Sequence, residues 1–128
     1  MDIHYYEGNA MKSYREFSSI YLCVRPVDFR KEIYGLVNLI KYEINDEPFS
    51  GSLFIFTNKN RRNIKVVYWD KTGFAMWTKI LEKEKFPWPK NNQLNQMTLN
   101  QEQFYWILSG INPWKVNPHQ ELNYSIIS

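Results

Sequence analysis

A dense group of basic side chains lies in the middle of the sequence. Between Thr57 and Lys90 the chain carries nine basic residues against three acidic ones, a net charge of +6 in a chain whose total is +3. The remaining 94 residues therefore carry −3. Charge concentrated in this way indicates a polyanionic partner such as nucleic acid. The side chains that we expect to contact phosphate are Lys59, Arg61, Arg62 and Lys65, with Arg30, Lys31, Lys79 and Lys83 as an extension of that surface.

These basic side chains need a scaffold that brings them to one surface, and the sequence predicts a β-hairpin. SLFIFT (52–57) and IKVVYW (64–69) are β-branched and aromatic runs of strand length, separated by the polar residues 58–63. We expect Lys65 to emerge near this loop, beside the three basic residues within it. A basic turn at the end of two strands is able to reach a phosphate backbone.

A strand and a helix are predicted before the hairpin. Residues 19–25 alternate but are largely apolar on both faces, which is typical of a strand inside a sheet. Asp28 is the predicted N-cap of the helix that follows. The predicted buried stripe of that helix consists of Phe29, Ile33, Leu36, Val37, Ile40 and Ile44. Arg30, Tyr34 and Lys41 lie beside the stripe, on a flank that either borders a binding surface or is simply solvated.

A second helix is predicted from about Lys71 to Lys83, directly after the hairpin. It would present Lys79 and Lys83 on its outer side, because they are four residues apart. Its predicted buried residues are Phe74, Trp77 and Leu81. The two prolines of FPWP (86–89) end the pattern.

The last part of the chain predicts a weaker edge strand and a third helix. LNQMTL (94–99) fits a short strand at the edge of the sheet. Thr98 and Gln101 then form a capping-box pattern, and Gly110 closes the helix.

The order strand, helix, hairpin, helix, edge strand, helix predicts an α+β fold, with a small mainly antiparallel sheet covered by helices. The first helix is a crossover, so the first two strands are expected to be parallel with a right-handed connection. Which hairpin strand borders the first strand stays open. In a chain of 128 residues we predict an arm at 1–17, a single domain at 18–114 and a tail at 115–128.

Composition indicates a cytoplasmic protein. No apolar stretch approaches the ~20 residues that cross a bilayer, so we expect no membrane contact, and the N-terminus lacks the pattern of a signal peptide. The single cysteine, Cys23, has no partner for an internal disulfide and lies in an apolar run, which is typical of a buried residue in a reducing compartment.

The sequence carries no enzyme signature, and we expect neither a metal nor a cofactor. A divalent-metal nuclease would need clustered carboxylates. Asp28, Asp70 and Glu82 are the candidates, but the two aspartates are expected to begin helices and Glu82 to pair with a lysine. The two histidines and the one cysteine lack zinc-ligand spacing, and the five glycines form no phosphate-binding loop.

The ordered motifs VRPVDFRKEIYGLVNLI, FSG, FIFTNK, IKVVYWD, GFAMW, KILE and FPWP resemble a known family over roughly residues 18–114. It is the small accessory protein, TnpB, encoded by the second open reading frame of the insertion-sequence-sixty-six type. In that family a separate, larger protein is the catalyst. The family usually has Gly and an acidic residue at the hairpin tip, where this chain has Arg61 and Arg62.

Two hypotheses about function follow. The first is a non-catalytic accessory protein of bacterial DNA transposition that assists a separate transposase by contact with DNA, with the transposase or other element-encoded proteins, or with both. The second is a protein-interaction module that contacts no DNA and docks through Trp88, which two prolines flank, while the lysines only keep it soluble. A carboxylate-metal nuclease is a third and less supported alternative. The oligomeric state stays open.

Overall fold

A five-stranded mixed sheet with helices on both faces forms the fold in the computed structural model, which describes residues 17–90 and 94–115. Its strands are β1 (Ile20–Cys23), β2 (Leu53–Thr57), β3 (Asn63–Asp70), β4 (Gly73–Ile80) and β5 (Gln96–Leu99). Its helices are α1 (Ile33–Leu39), which continues as a π-helical segment over Ile40–Ile44, and α2 (Gln101–Leu108). The predicted α+β class agrees with this architecture. In the described part of the chain, no helix has the length and apolar character needed to cross a membrane.

The strand order is β4-β3-β2-β1-β5. β1 and β2 are parallel, as predicted for a crossover connection, and every other neighbouring pair is antiparallel. β2 is therefore the hairpin strand that borders β1. The predicted edge strand is confirmed as β5, which pairs with β1 on the opposite side from β2.

Alternating side chains divide the core between the two faces of the sheet. On one face, here the α2 face, strand residues such as Leu53 and Ile55 pack in one cluster with Phe104, Ile107 and Leu108 of α2. On the α1 face, Phe54 and Phe56 pack with Leu36, Val37 and Ile40. All four of these β2 side chains are fully buried, so β2 is covered on both faces, as its apolar run predicts.

The prediction of a second helix is wrong, because residues 73–80 form strand β4. A two-residue turn, Lys71-Thr72, connects β3 directly to β4, and Lys71 adopts the left-handed conformation with φ 52°. The apolar positions of GFAMWTKI fit both a helical and a strand period. Phe74 and Trp77 are three residues apart, as on one side of a helix, and Phe74 and Met76 are two apart, as on one face of a strand. All eight residues pair with β3, and this tertiary pairing replaces the internal hydrogen bonds of a helix.

The first helix exists but begins later than predicted. Its N-cap is Glu32 rather than Asp28. Asp28 instead accepts a hydrogen bond from the backbone amide of Arg30, two residues on, which closes a local turn. The helical segment ends at Asn45, whose left-handed φ of 61° stops the chain from continuing as a helix.

The capping box of the last helix lies two residues beyond the predicted pair. The Asn100 side chain accepts from the Gln103 amide, and the Gln103 side chain accepts from the Asn100 amide, so Thr98 remains in β5. Gly110 follows the helix with φ 83°, as predicted for its closure. Phe17, placed in the predicted arm, is buried against Tyr68. The rest of the arm, and the tail beyond Lys115, lie outside the described residues.

Candidate nucleic-acid interface

The β2–β3 turn is tied by its backbone to the segment that follows β4. The amide of Leu81 donates to the carbonyl of Arg62 at 2.8 Å, and the amide of Phe86 donates to the carbonyl of Arg61 at 2.7 Å. The Arg62 guanidinium also donates to the carbonyl of Lys83 at 3.4 Å. Residues 58–62 and 81–85 therefore form one surface at one end of the sheet. We call this surface the basic end, and its cations are Lys59, Arg61, Arg62, Lys83 and Lys85.

Local hydrogen bonds fix the conformation of the turn itself. The amide of Arg61 donates to the carbonyl of Asn58 at 3.1 Å, and the amide of Arg62 donates to the side-chain oxygen of Asn60 at 2.9 Å. Arg61 adopts φ 59°, a conformation that glycine usually supplies. The tip thus keeps a left-handed residue while carrying a cation there.

The basic end is open to solvent and has excess positive charge. Lys59, Arg62, Lys83 and Lys85 are exposed, and Arg61 is partly exposed. The two carboxylates of the same segments, Glu82 and Glu84, leave a net charge of +3. Within the described part of the chain, neither carboxylate forms an ion pair with these cations. The positive charges therefore remain available to an external anion.

Lys65 does not belong to this surface, and the prediction that it emerges beside the turn is wrong. It lies opposite Phe56 on the α1 face and is 8% exposed. Its Nζ donates to the carbonyls of Phe29 and Lys31, each at 3.1 Å, and lies 4.9 Å from the centre of the Phe29 ring. Strand alternation places it on the face of Phe56, and the loop before α1, to which its ammonium group binds, covers it there.

Lys79 is also engaged within the fold. The predicted helix would have put it on the same side as Lys83, whereas β4 directs it to the α2 face. There its Nζ donates to the carbonyl of Leu108 at 2.8 Å, at the C-terminal end of α2 where a cation is favourable. Partial burial lowers the pKa of Lys79. Lys79 therefore caps the C-terminal end of α2.

Arg30 and Lys31 lie in the loop before α1, next to the turn. An open groove joins the two regions, and it is lined by Pro26, Val27, Asp28, Phe29, Asn58, Lys59 and Asn60. Arg30 is engaged with Asp28, to which its Nε donates at 2.9 Å. This bond lowers the pKa of Asp28 to about 2 and raises the pKa of Arg30. Lys31 is exposed. The extension therefore borders Lys59, but one of its cations is already paired.

Trp88 is a core residue, so its predicted exposure is wrong. It is 5% exposed, and its indole Nε1 donates to the carbonyl of Val24 at 3.0 Å. The ring therefore lies at the end of β1, which Val24 follows, and is not exposed to solvent. Trp77 is buried, as predicted.

Sequence reasoning missed Lys85 as a site residue. Lys85 contributed to the charge count, but the predicted helix ended at Lys83 and left it unassigned. The bond between Phe86 and Arg61 brings the neighbouring Lys85 to the turn. The signal available in the sequence was the alternation of acidic and basic residues after β4, which indicates a solvated segment.

The carboxylates considered as metal ligands lie apart. Asp70 and Glu82 lie at opposite ends of the β3–β4 ribbon, and Asp28 is bound to Arg30. Among the described residues no three metal-ligating side chains form a cluster. Cys23 is buried, and burial raises the pKa of its thiol, which fits a structural cysteine.

The chain is similar to one protein family and to two proteins of a single organism. A family model described as IS66 Orf2-like protein matches residues 18–118. An uncharacterised protein of Sinorhizobium fredii, y4jC, is 33% identical over 94 residues, which cover 72% of this chain and 78% of that protein. A second one from the same organism, y4hO, is 25% identical over 96 residues, covering 75% of this chain and 82% of y4hO. No solved structure matches the chain significantly.

Proposed function

Since the chain belongs to the IS66 Orf2-like family, a transposition-associated accessory family that is not a known catalytic one, we propose that it assists transposition by binding DNA through the basic end. The observation that carries this proposal is the convergence of five cations on two segments joined by backbone hydrogen bonds. The partner is DNA of the element, and a separate transposase performs the chemistry. The DNA of a bacterial element lies in the cytoplasm, so we propose that the protein acts there.

The mode of binding that we propose is contact with the phosphate backbone. A turn whose backbone is already fixed loses little conformational freedom when its side chains meet phosphates, so their charge is used efficiently. Each phosphate that is neutralised releases condensed counterions. If three to four phosphates are contacted, the logarithm of affinity falls with the logarithm of salt concentration with a slope of about −3 to −4.

The test is fluorescence anisotropy with a labelled duplex at several salt concentrations, comparing the protein with the double variant Arg61→Ala and Arg62→Ala. We expect about tenfold weaker binding at low salt and a slope shallower by about two, since two phosphate contacts are removed. The Ala side chain keeps a Cβ at position 61, so it adds no new backbone strain there.

The matched control is the double variant Lys41→Ala and Lys71→Ala. Both residues are exposed and lie outside the basic end, and the net charge changes by the same two units. The proposal requires that this control bind DNA almost as well as the unchanged protein. Equal loss in both variants would show diffuse attraction without a site, and absence of binding at low salt would overturn DNA contact altogether.

A second candidate function, docking on the transposase without DNA contact, now depends on another surface than Trp88. Phe49 is 55% exposed and packs against Trp69 and Phe74, with ring centres 4.9 and 5.2 Å away. If this cluster anchors the transposase, Phe49→Ser should abolish copurification of the two proteins. Tyr34→Ser, at an exposed aromatic on α1, should not. Equal behaviour of the two variants would remove the candidate.

A further inference from the structure

Among the described residues, none pairs with the backbone groups along the outer edge of β4. β4 is the terminal strand on its side of the sheet and has eight residues, whereas β5 at the other edge has four. The register places Leu81 directly opposite Arg62, and the Leu81 amide donates to the Arg62 carbonyl. In an antiparallel pair every second residue forms such bonds, so residues 79, 77, 75 and 73 also direct their backbone groups toward β3. The intervening residues therefore direct their amides and carbonyls outward: Phe74, Met76, Thr78 and Ile80.

The residues of β4 themselves carry none of the usual sequence features that protect an edge strand from pairing. Exposed edge strands commonly carry proline, a bulge or outward charges. The sequence of β4 contains no proline, and its eight pairs with β3 run without interruption. Its only charged side chain, Lys79, is held at the end of α2 on the opposite face from the four outward residues. Ile80 remains 62% exposed at the end of the strand.

We propose that β4 pairs antiparallel with β4 of a second copy of this chain, joining two sheets into one. Antiparallel pairing of identical strands is a closed two-fold contact. With the axis at Trp77, the outward residues pair with one another and form up to about eight interstrand hydrogen bonds. No described strand pairs with this edge within the single chain.

The side-chain pattern of β4 is what favours a second copy as the occupant. In this register Phe74 lies opposite Ile80 of the other copy, and Met76 lies opposite Thr78, all on the α1 face. The exposed Ile80 is then covered by an aromatic ring, which is a favourable cross-strand pair. On the other face Lys79 lies opposite Ala75, so the two copies place no like charges directly across from each other.

The dimer has a consequence that rests on the proposed function. The basic end lies where β4 ends, and antiparallel pairing sends the two β4 ends in opposite directions. The two basic ends are then separated by at least the length of the strand, about 27 Å for eight residues. They face opposite ends of the joined sheet, so one dimer would hold two separate duplex segments.

The dimer is tested without DNA by sedimentation equilibrium over a range of protein concentrations. We expect a monomer–dimer equilibrium, and at least a tenfold weaker association for Ile80→Lys, which puts a charge on the edge next to an aromatic ring of the other copy. The matched control is Ile111→Lys, at an exposed isoleucine beyond α2. Because both positions are exposed, both variants should keep the fold.

Hydrogen exchange supplies a second measurement. The amides of Phe74, Met76, Thr78 and Ile80 should exchange more slowly as protein concentration rises, and Ile80→Lys should remove that dependence. A monomer at every concentration, or equal weakening by both lysine variants, overturns the dimer and leaves DNA contact at the basic end standing. Loss of DNA binding in the double arginine variant has no bearing on the dimer, so the two failures are distinguishable.

Discussion

The turns at the two ends of β3 share one backbone feature and differ in their surroundings. Each places a basic residue in the left-handed conformation, Arg61 with φ 59° and Lys71 with φ 52°. Arg61 lies among four other cations and is tied by its carbonyl to the segment after β4. Lys71 lies next to Asp70, beside the aromatic cluster of Phe49, Trp69 and Phe74. A basic residue in a left-handed turn is therefore not by itself the basis of the proposed site, which rests on the clustering of cations around Arg61.

A second difference concerns what each turn contacts. Lys71 and Thr72 form the shortest connection between two antiparallel strands and are both exposed. The longer turn at 58–62 borders the loop before α1 through a groove and borders residues 81–86 through hydrogen bonds. Three segments of the chain thus meet at the basic end. Such a junction can hold several side chains in fixed relative positions, which is what recognition of a regular phosphate backbone requires.

The largest effect should come from the lysine that the fold removes from this surface. Lys65→Met keeps most of the side-chain volume but loses two hydrogen bonds from an ammonium group, so we expect about 2 kcal/mol lower free energy of unfolding. Lys59→Met, at an exposed position in the turn, should change it by less than about 0.5 kcal/mol. Urea denaturation followed by tryptophan fluorescence measures both. Similar stability of the two variants would mean that the contacts of Lys65 do not stabilise the fold.

Lys65 also shows where sequence reasoning works and where it fails. The alternating runs of β2 and β3 predicted their pairing and the burial of β2, because strand alternation is read directly from residue types. The same alternation puts Lys65 on the face of Phe56, but which face is covered near the turn depends on the loop before α1. That loop lies more than thirty residues away in sequence. Tertiary contact of this kind is invisible to a local pattern.

The error at β4 has a different physical origin. GFAMWTKI is short and satisfies both a helical and a strand period, so its local pattern does not decide between them. Pairing with β3 decides it, through a two-residue turn whose left-handed residue is Lys71 instead of the expected glycine or asparagine. This one error moved Lys79 onto the wrong surface and left Lys85 out. The position of the cations within the turn depends only on the β2–β3 hairpin, which was predicted correctly.

Glycine at each left-handed position sharpens the contrast between the two turns. Arg61→Gly and Lys71→Gly should each raise the free energy of unfolding by about 0.5 to 1 kcal/mol, because glycine adopts this conformation without a Cβ penalty. Only Arg61→Gly should weaken DNA binding, by about three- to fivefold, since it alone removes one of the proposed phosphate contacts. Thermal unfolding and anisotropy on the same samples separate these effects. Equal loss of affinity in both variants would make the two turns equivalent and deny the basic end its special role.

The smallest expected effect is a gain of affinity when Arg30 is released. Asp28→Asn removes the carboxylate that holds Arg30, so we expect about twofold tighter DNA binding as one more cation becomes available. Glu32→Gln is the matched control, since it removes an exposed carboxylate from the same loop. The pKa of Asp28 is lowered to about 2, so the pair is formed fully above the ordinary carboxylate pKa near 4 and is lost only as pH falls through about 2. The advantage of Asp28→Asn should therefore be constant between about pH 5 and 8, the range in which Asp28 stays ionised. An equal gain in Glu32→Gln would assign the effect to net charge alone and confine the interface to the five cations of the basic end.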